Sequence, residues 1–162
     1  MVNVQPATVE EVKEIKQVLS ETWNDTYGPF LPLEVIQKIT SLWHSLEGLA
    51  AEIEDERVCF SVAKDEHGDI LGLVTAGRPS EKVVYIARLY VLPGHQRQGV
   101  GGKLLEACVA AFPRALLVRL EVEEQNEKGL SFYLKQGFRE ISRKREEFEG
   151  VTLTVVEMEK KL

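Results

Sequence analysis

Apolar positions recur along this chain in two rhythms, and the switches between them mark out its elements. Val2 to Gln5 reads as a short first strand. Thr8-x-x-Glu11 has the form of a capping box, and Val12, Ile15, Leu19 and Trp23 follow it at helical spacing. Asn24 to Gly28 reads as the break. Pro32 suits a helix start. From there Ile36, Ile39, Trp43, Leu46, Ala50 and Ile53 alternate three and four apart, which predicts one long helix or two short ones broken at Gly48. Val58–Lys64 and Ile70–Ala76 are strand-like and joined by Asp65-Glu66-His67-Gly68-Asp69, a hairpin signal. Val83–Leu92 is apolar almost throughout, as a central strand is. Val100, Leu104, Cys108 and Ala111 then define one helix face, ended by Pro113.

Ala115–Val122 is a further apolar strand. Asn126 can cap a helix running to Gln136, with Gly137 closing it in a left-handed conformation. Arg139–Phe148 and Val151–Met158 read as a terminal hairpin around Glu149-Gly150. The order β-αα-β-β-β-α-β-α-β-β places a strand-helix-strand unit in the middle. It therefore predicts an α/β chain with a mixed sheet and at least one parallel pair.

The junction between the apolar run and the fourth helical segment carries the clearest chemistry: Gln96-Arg97-Gln98-Gly99-Val100-Gly101-Gly102-Lys103. The first amides of a helix have no intrahelical partner, and the dipole there favours negative charge. Glycine lets a ligand approach the backbone. The loop is thus read as a phosphate or pyrophosphate cradle. It is not a P-loop, because Leu104 follows Gly102-Lys103 where a hydroxyl would bind Mg²⁺. It is not a dinucleotide fingerprint either, because the sixth position counted from Gly99 is Leu104. Gln96-x-x-Gly99-x-Gly101 does match a third phosphate-loop pattern, Gln/Arg-x-x-Gly-x-Gly/Ala.

Charge sharpens this. The 162 residues hold 26 Asp+Glu against 20 Lys+Arg, a net charge of -6, yet Lys82 through Leu105 contains no carboxylate. That window does hold Lys82, Arg88, His95, Arg97 and Lys103, a local cationic field suited to a polyanion. An acidic chain with few aromatics argues against nucleic acid. No apolar run spans a bilayer, and Met1 to Gln5 is not a signal peptide, so a cytoplasmic protein without a membrane partner is expected. Cys59 and Cys108 read as small buried hydrophobes. His44, His67 and His95 lack metal-ligand spacing, so no metal is expected.

Leu89-Tyr90-Val91-Leu92-Pro93 followed by the glycine loop, Leu120-Glu121-Val122 followed by Asn126, and Phe132-Tyr133-x-x-x-Gly137-Phe138 occur in order. With Met158-Glu159-Lys160-Lys161-Leu162 at the end, the chain resembles the GNAT family of N-acetyltransferases along nearly all its length. The resemblance implies a single N-acetyltransferase domain over residues 1–162. It also implies a central mixed, mostly antiparallel twisted sheet of about seven strands flanked by about four helices. The donor it implies is acetyl-CoA, and the acceptor a primary amine. It assigns pyrophosphate contact to Gln96, Arg97 and the amides of Gln98, Gly99, Val100, Gly101, Gly102 and Lys103. It places backbone contacts to the pantetheine arm at Tyr90 and Val91, as if the arm were an added strand. Asn126 would hydrogen-bond the same arm, or serve as a plain N-cap. Tyr133 would protonate the departing thiolate, or be a core aromatic.

The chain departs from the family in one respect. Many members carry a glutamate on the strand before the loop as general base, whereas Tyr85 to Leu92 has none and offers Ala87 and Arg88 instead. Glu121 is the candidate base, with an ordinary strand-end acid as the alternative. Glu21 to Tyr27 faintly resembles the corresponding stretch of bacterial polyamine acetyltransferases. Trp23, Asp25 and Tyr27 are therefore candidates for the acceptor site, where rings and carboxylates suit a cation. The leading expectation is an acetyltransferase for a small, polyamine-like amine, with room for a homodimer. A protein N-terminal or lysine acetyltransferase and a non-catalytic CoA sensor are the alternatives.

Overall fold

The central strand segments meet in one sheet because each presents an apolar face to a helical layer, while the last hairpin adds a polar, exposed strand at the edge. The structure, a computed structural model, describes residues 1–162. Its strands are β1 (Asn3–Pro6), β2 (Cys59–Lys64), β3 (Ile70–Ser80), β4 (Val83–Val91), β5 (Leu117–Glu123), β6 (Arg139–Phe148) and β7 (Val151–Lys161). Its helices are α1 (Val12–Tyr27), α2 (Leu33–Trp43), α3 (Leu46–Glu54), α4 (Val100–Ala110) and α5 (Glu127–Lys135). The sheet order is β1-β2-β3-β4-β5-β7-β6, so the expected mixed, mostly antiparallel seven-stranded sheet is observed, flanked by five helices. No helix is long and apolar enough to cross a membrane.

Two helical expectations change. The helix from the capping box does not stop at Asn24: α1 runs to Tyr27, and the Gly28 N–H donates to the Asn24 carbonyl at 3.0 Å. Stacking of Trp23 on Tyr27, one turn apart with centroids 4.3 Å apart, favours helix over a stretch of weak helix formers. The long second segment splits, but at His44-Ser45 and not at Gly48. Ser45 Oγ accepts from the Gly48 N–H at 3.1 Å and caps α3, which puts Gly48 inside the helix. The terminal hairpin turns where expected: Glu149 (φ 48°) and Gly150 (φ 79°) both adopt left-handed conformations, as a two-residue hairpin turn requires.

Two layers cover the sheet. On one face α4 and α5 pack through Val100, Leu104, Cys108 and Tyr133 against Val84, Ile86, Val118 and Leu120. On the other, α1 and α3 pack through Ile15, Val18, Leu19 and Leu49 against Phe60, Val62 and Leu73. Cys108 is buried and Cys59 half-buried, and both are free thiols.

The sheet is least complete at its centre. The only parallel pair, β4 with β5, matches Val83 with Leu117, Val84 with Val118 and Tyr85 with Arg119, and goes no further. Past Tyr85 the strands separate. The β3–β4 register also slips there, with Thr75 opposite Arg88 and Ala76 opposite Ile86, so that Ala87 is an extra residue. Such a bulge bends its strand and resets its alternation. Ile86 and Leu89 both face α4, while Arg88 turns to the α1–α3 side.

Candidate active site

The loop between β4 and α4 is built for an anion by its backbone. Arg97 (φ 60°) and Gly99 (φ 84°) are left-handed and α4 begins at Val100, so successive N–H groups converge on the helix start. No backbone amide from Gln96 to Gly102 donates to an acceptor in the protein. A tight run of unspent donors at a helix N-terminus fits a diphosphate. Lys103 contributes differently from expectation. Its amide is spent on the Gly99 carbonyl at 3.1 Å, which leaves its ammonium, donating to the Val2 carbonyl at 3.4 Å, as the group it can offer. Gln96 likewise turns its side chain inward, donating to the Val91 carbonyl at 3.0 Å and tying the loop to the end of β4. A Cβ at Gly101 would lie 3.0 Å from the Phe132 ring, so that glycine is needed for packing as well as for approach. Arg88, part of the cationic window in the sequence, is not at this loop.

Strand alternation decides which β4 amides face the gap. The Leu92 N–H bonds to the Leu71 carbonyl at 2.8 Å, on the β3 side. Backbone groups alternate sides along a strand, so those of Tyr90 also face β3, while those of Val91 and Leu89 face the gap. Of the two positions expected to offer backbone to a ligand, only Val91 is so placed, and its carbonyl is already held by Gln96. Tyr90 offers its side chain instead, to the opposite face. Across the gap, Asn126 caps α5 by accepting from the Gly129 N–H at 3.0 Å, which leaves its Nδ2 to donate. Tyr133 is buried with its ring against Phe132 and Phe138. Burial, then the neighbouring Tyr90, pushes its phenol well above the usual range, so it keeps its proton at all working pH values.

On the α1–α3 side a cavity of about 540 Å³ opens onto the same gap. Trp23, Tyr27, Trp43, Tyr85, Tyr90 and Phe148 supply rings to its wall. Its acids are Glu52, Glu121, Glu123 and Glu146. Trp23 and Tyr27, four residues apart on α1, share the face turned to the cavity. Asp25 is exposed and lies outside it, because two residues advance a helix by more than half a turn. The acceptor-site expectation at Asp25 is corrected accordingly. Arg88 takes the place where a strand glutamate was sought. Its guanidinium is held by Glu52 of α3 (Nη2 to Oε1, 3.2 Å) and by the Trp43 carbonyl at 3.1 Å. Glu121 lines the cavity but is engaged, with Lys144 Nζ 2.9 Å from its Oε1; Lys144 also reaches Glu146 at 3.0 Å. Burial, then the charge of Glu121, raises the Tyr85 phenol to about 12.

Among the lining residues that sequence reasoning missed, two stand out. Glu123 is 8% exposed, on the same strand face as Glu121, and desolvation raises its carboxyl. The signal was present in Leu120-Glu121-Val122-Glu123, where a period of two puts both acids on one side. His44 had only an isolated position to recommend it. In the fold it is buried at the α2–α3 break, its Nδ1 lacks a partner, and burial lowers its pKa to about 4.

The split parallel pair thus carries unspent helix amides on one flank and an acid-lined cavity on the other. Comparison with known proteins gives the family. Residues 14–138 match the acetyltransferase (GNAT) family. The uncharacterized N-acetyltransferase YuaI of Bacillus subtilis is 30% identical over 147 residues, covering 85% of this chain and 68% of that one. The spermidine N(1)-acetyltransferase of Thermoplasma acidophilum is 26% identical over 143 residues, covering 85% and 88%. The PaiA N-acetyltransferase of Thermoplasma acidophilum, solved in complex with coenzyme A, superposes with a TM-score of 0.85 at 25% identity, covering 100% and 99%. The chain belongs to the GNAT family and is an N-acetyltransferase that takes acetyl-CoA as its donor.

Proposed function

We propose that this enzyme, acting as one domain over residues 1–162, acetylates a primary amine of a small, polyamine-like cation by direct attack on the thioester. The charge balance of the cavity carries the reading. Glu52, Glu121, Glu123 and Glu146 are offset only by Arg88 and Lys144, among aromatic rings. That surface leaves an excess of negative charge and π faces for an ammonium. The similarity to a spermidine acetyltransferase supports it.

In this reading the amides of Gln98 to Gly102, with the side chains of Arg97 and Lys103, hold the pyrophosphate. Val91 N–H and Asn126 Nδ2 hold the pantetheine arm as a strand added between β4 and β5. Trp23, Tyr27 and Tyr90 wall the acceptor. Tyr133, protonated and buried in the gap, donates to the departing sulfur. General-acid help of this kind is worth roughly 10²–10⁴-fold.

The test is an acceptor panel read by thiol release: spermidine, spermine, a peptide with a free N-terminal alanine, and aspartate. Polyamines should win, with kcat/KM falling as salt rises. If the peptide or aspartate wins without salt dependence, the polyamine reading fails and the family assignment stands.

A further inference from the structure

We propose that Glu123, and not Glu121, takes the proton from the acceptor amine. The proposal rests on the cavity being the acceptor site, not on which amine fills it. Both carboxylates face the cavity from β5, but their surroundings differ. Glu121 is partnered by Lys144 from β6, a cation that Glu146 helps hold, and lies beside the Tyr85 phenol of β4. A carboxylate already neutralised by an ammonium is a weak proton acceptor, because protonating it strands that ammonium. Glu123 has no cation. Its Oε2 accepts the Gln125 N–H at 2.6 Å, and Val155 stands opposite it on β7.

The other titratable groups around Glu123 do not neutralise it. Tyr27 of α1 lies close enough for its phenol to be raised further by the Glu123 charge. Glu124, the next residue, is engaged by Arg143 of β6 at 3.2 Å. Glu123 also sits two residues beyond Glu121, further from the last β4–β5 pair and so where the gap is wider. Its burial raises its carboxyl above the ordinary value, which brings a general base closer to working pH.

The step balances. The acceptor arrives as R–NH₃⁺, and Glu123 takes one proton and becomes neutral. The nitrogen lone pair forms the N–C bond at the thioester carbonyl. The C–S bond then breaks, sulfur leaves with its electron pair, and the Tyr133 hydroxyl supplies its proton. The second nitrogen proton returns to Tyr133, and Glu123 releases its own to solvent. The products are the amide, the free thiol and one proton.

The experiment compares Glu123→Gln and Glu121→Gln, with spermidine as acceptor and with basal hydrolysis of acetyl-CoA, in which water takes the acceptor's place. Rates are followed from pH 6 to 10. At pH 7 Glu123→Gln should lower kcat by about 10²-fold, recovering as pH rises and the ammonium loses its proton unaided. With spermidine the acidic limb of the wild-type profile should move up to the amine's own deprotonation, and in hydrolysis it should disappear. Glu121→Gln should raise the acceptor KM and keep that limb. Stabilisation by acetyl-CoA should persist in both variants, which excludes misfolding, and Glu123→Asp should restore part of the rate. The proposal is overturned if Glu123→Gln leaves the acidic limb where it stands in the wild type, or if Glu121→Gln displaces it, in whichever of the two reactions proceeds. Failure of spermidine alone counts against the polyamine reading, because hydrolysis then carries the comparison.

Discussion

The loop from Gln96 to Lys103 and the cavity across the sheet are both lined for a ligand, but they are made of different material. The loop is contiguous and presents mostly backbone N–H groups. The cavity takes single side chains from every strand from β3 to β7 and from α1, α2 and α3. A backbone surface can be damaged only by adding atoms that block it, since no substitution removes an amide except proline. A side-chain surface is altered by deletion, one wall at a time, and each wall is shared with neighbours. The loop therefore answers to substitution as a unit, while the cavity degrades in steps.

The largest effect tests the loop. Gly101→Val adds atoms against the Phe132 ring and over the amides. The kcat/KM for acetyl-CoA should fall about 10³-fold, roughly 4 kcal/mol. The stabilisation of about 2.7 kcal/mol given by acetyl-CoA at a hundredfold excess over Kd should vanish in thermal melts. A retained shift would mean that the anion binds elsewhere.

Next comes the buried polar group of the cavity. His44 titrates near 4 when folded, against an ordinary 6.5. Between those values the unfolded chain binds the proton and the folded chain does not, so stability falls as pH falls through the window. The loss is on the order of 3 kcal/mol in all. His44→Phe should flatten that part of the curve in urea titrations from pH 7 to 4. Parallel curves for variant and parent would show that His44 is not held neutral.

At the seam between the two regions, Tyr133→Phe should cut kcat by about 10²-fold and leave acetyl-CoA binding intact. Normal turnover would return Tyr133 to the role of a packing aromatic. The smallest effect belongs to the shared wall. Trp43 is half exposed and meets Phe148 edge-on at 5.7 Å and Trp23 at 6.0 Å. Trp43→Ala should raise the acceptor KM about tenfold, one cation–π contact of roughly 1.4 kcal/mol, with the donor KM unmoved. A hundredfold loss would mean that Trp43 anchors the wall alone.

The same contrast explains what the sequence made legible. Gln96-x-x-Gly99-x-Gly101 could be read because conformation and approach are local properties of glycine, and the seven strands because their periods are local too. The break between α2 and α3 was misplaced because a serine cap outweighed a glycine. Asp25 was read into the acceptor site from a faint resemblance over Glu21 to Tyr27, whereas stacking of Trp23 on Tyr27 continues the helix there and leaves Asp25 exposed. Glu52, Glu146 and His44 carried no sign of their place, since only tertiary packing brings α3, β6 and the α2–α3 break to one cavity.

The parting of β4 and β5 has a consequence for solubility. An unpaired strand edge at the rim of a sheet invites pairing with another molecule, the first step towards aggregation. Here the backbone groups of Leu89 and Val91 that face the gap lie at the middle of the sheet, with helices over both faces. A second protein strand brings side chains on both sides and has no room to enter. Only a slender, nearly unbranched chain can reach those groups, so the fold keeps a hydrogen-bonding edge open at its centre while withholding it from other copies of itself.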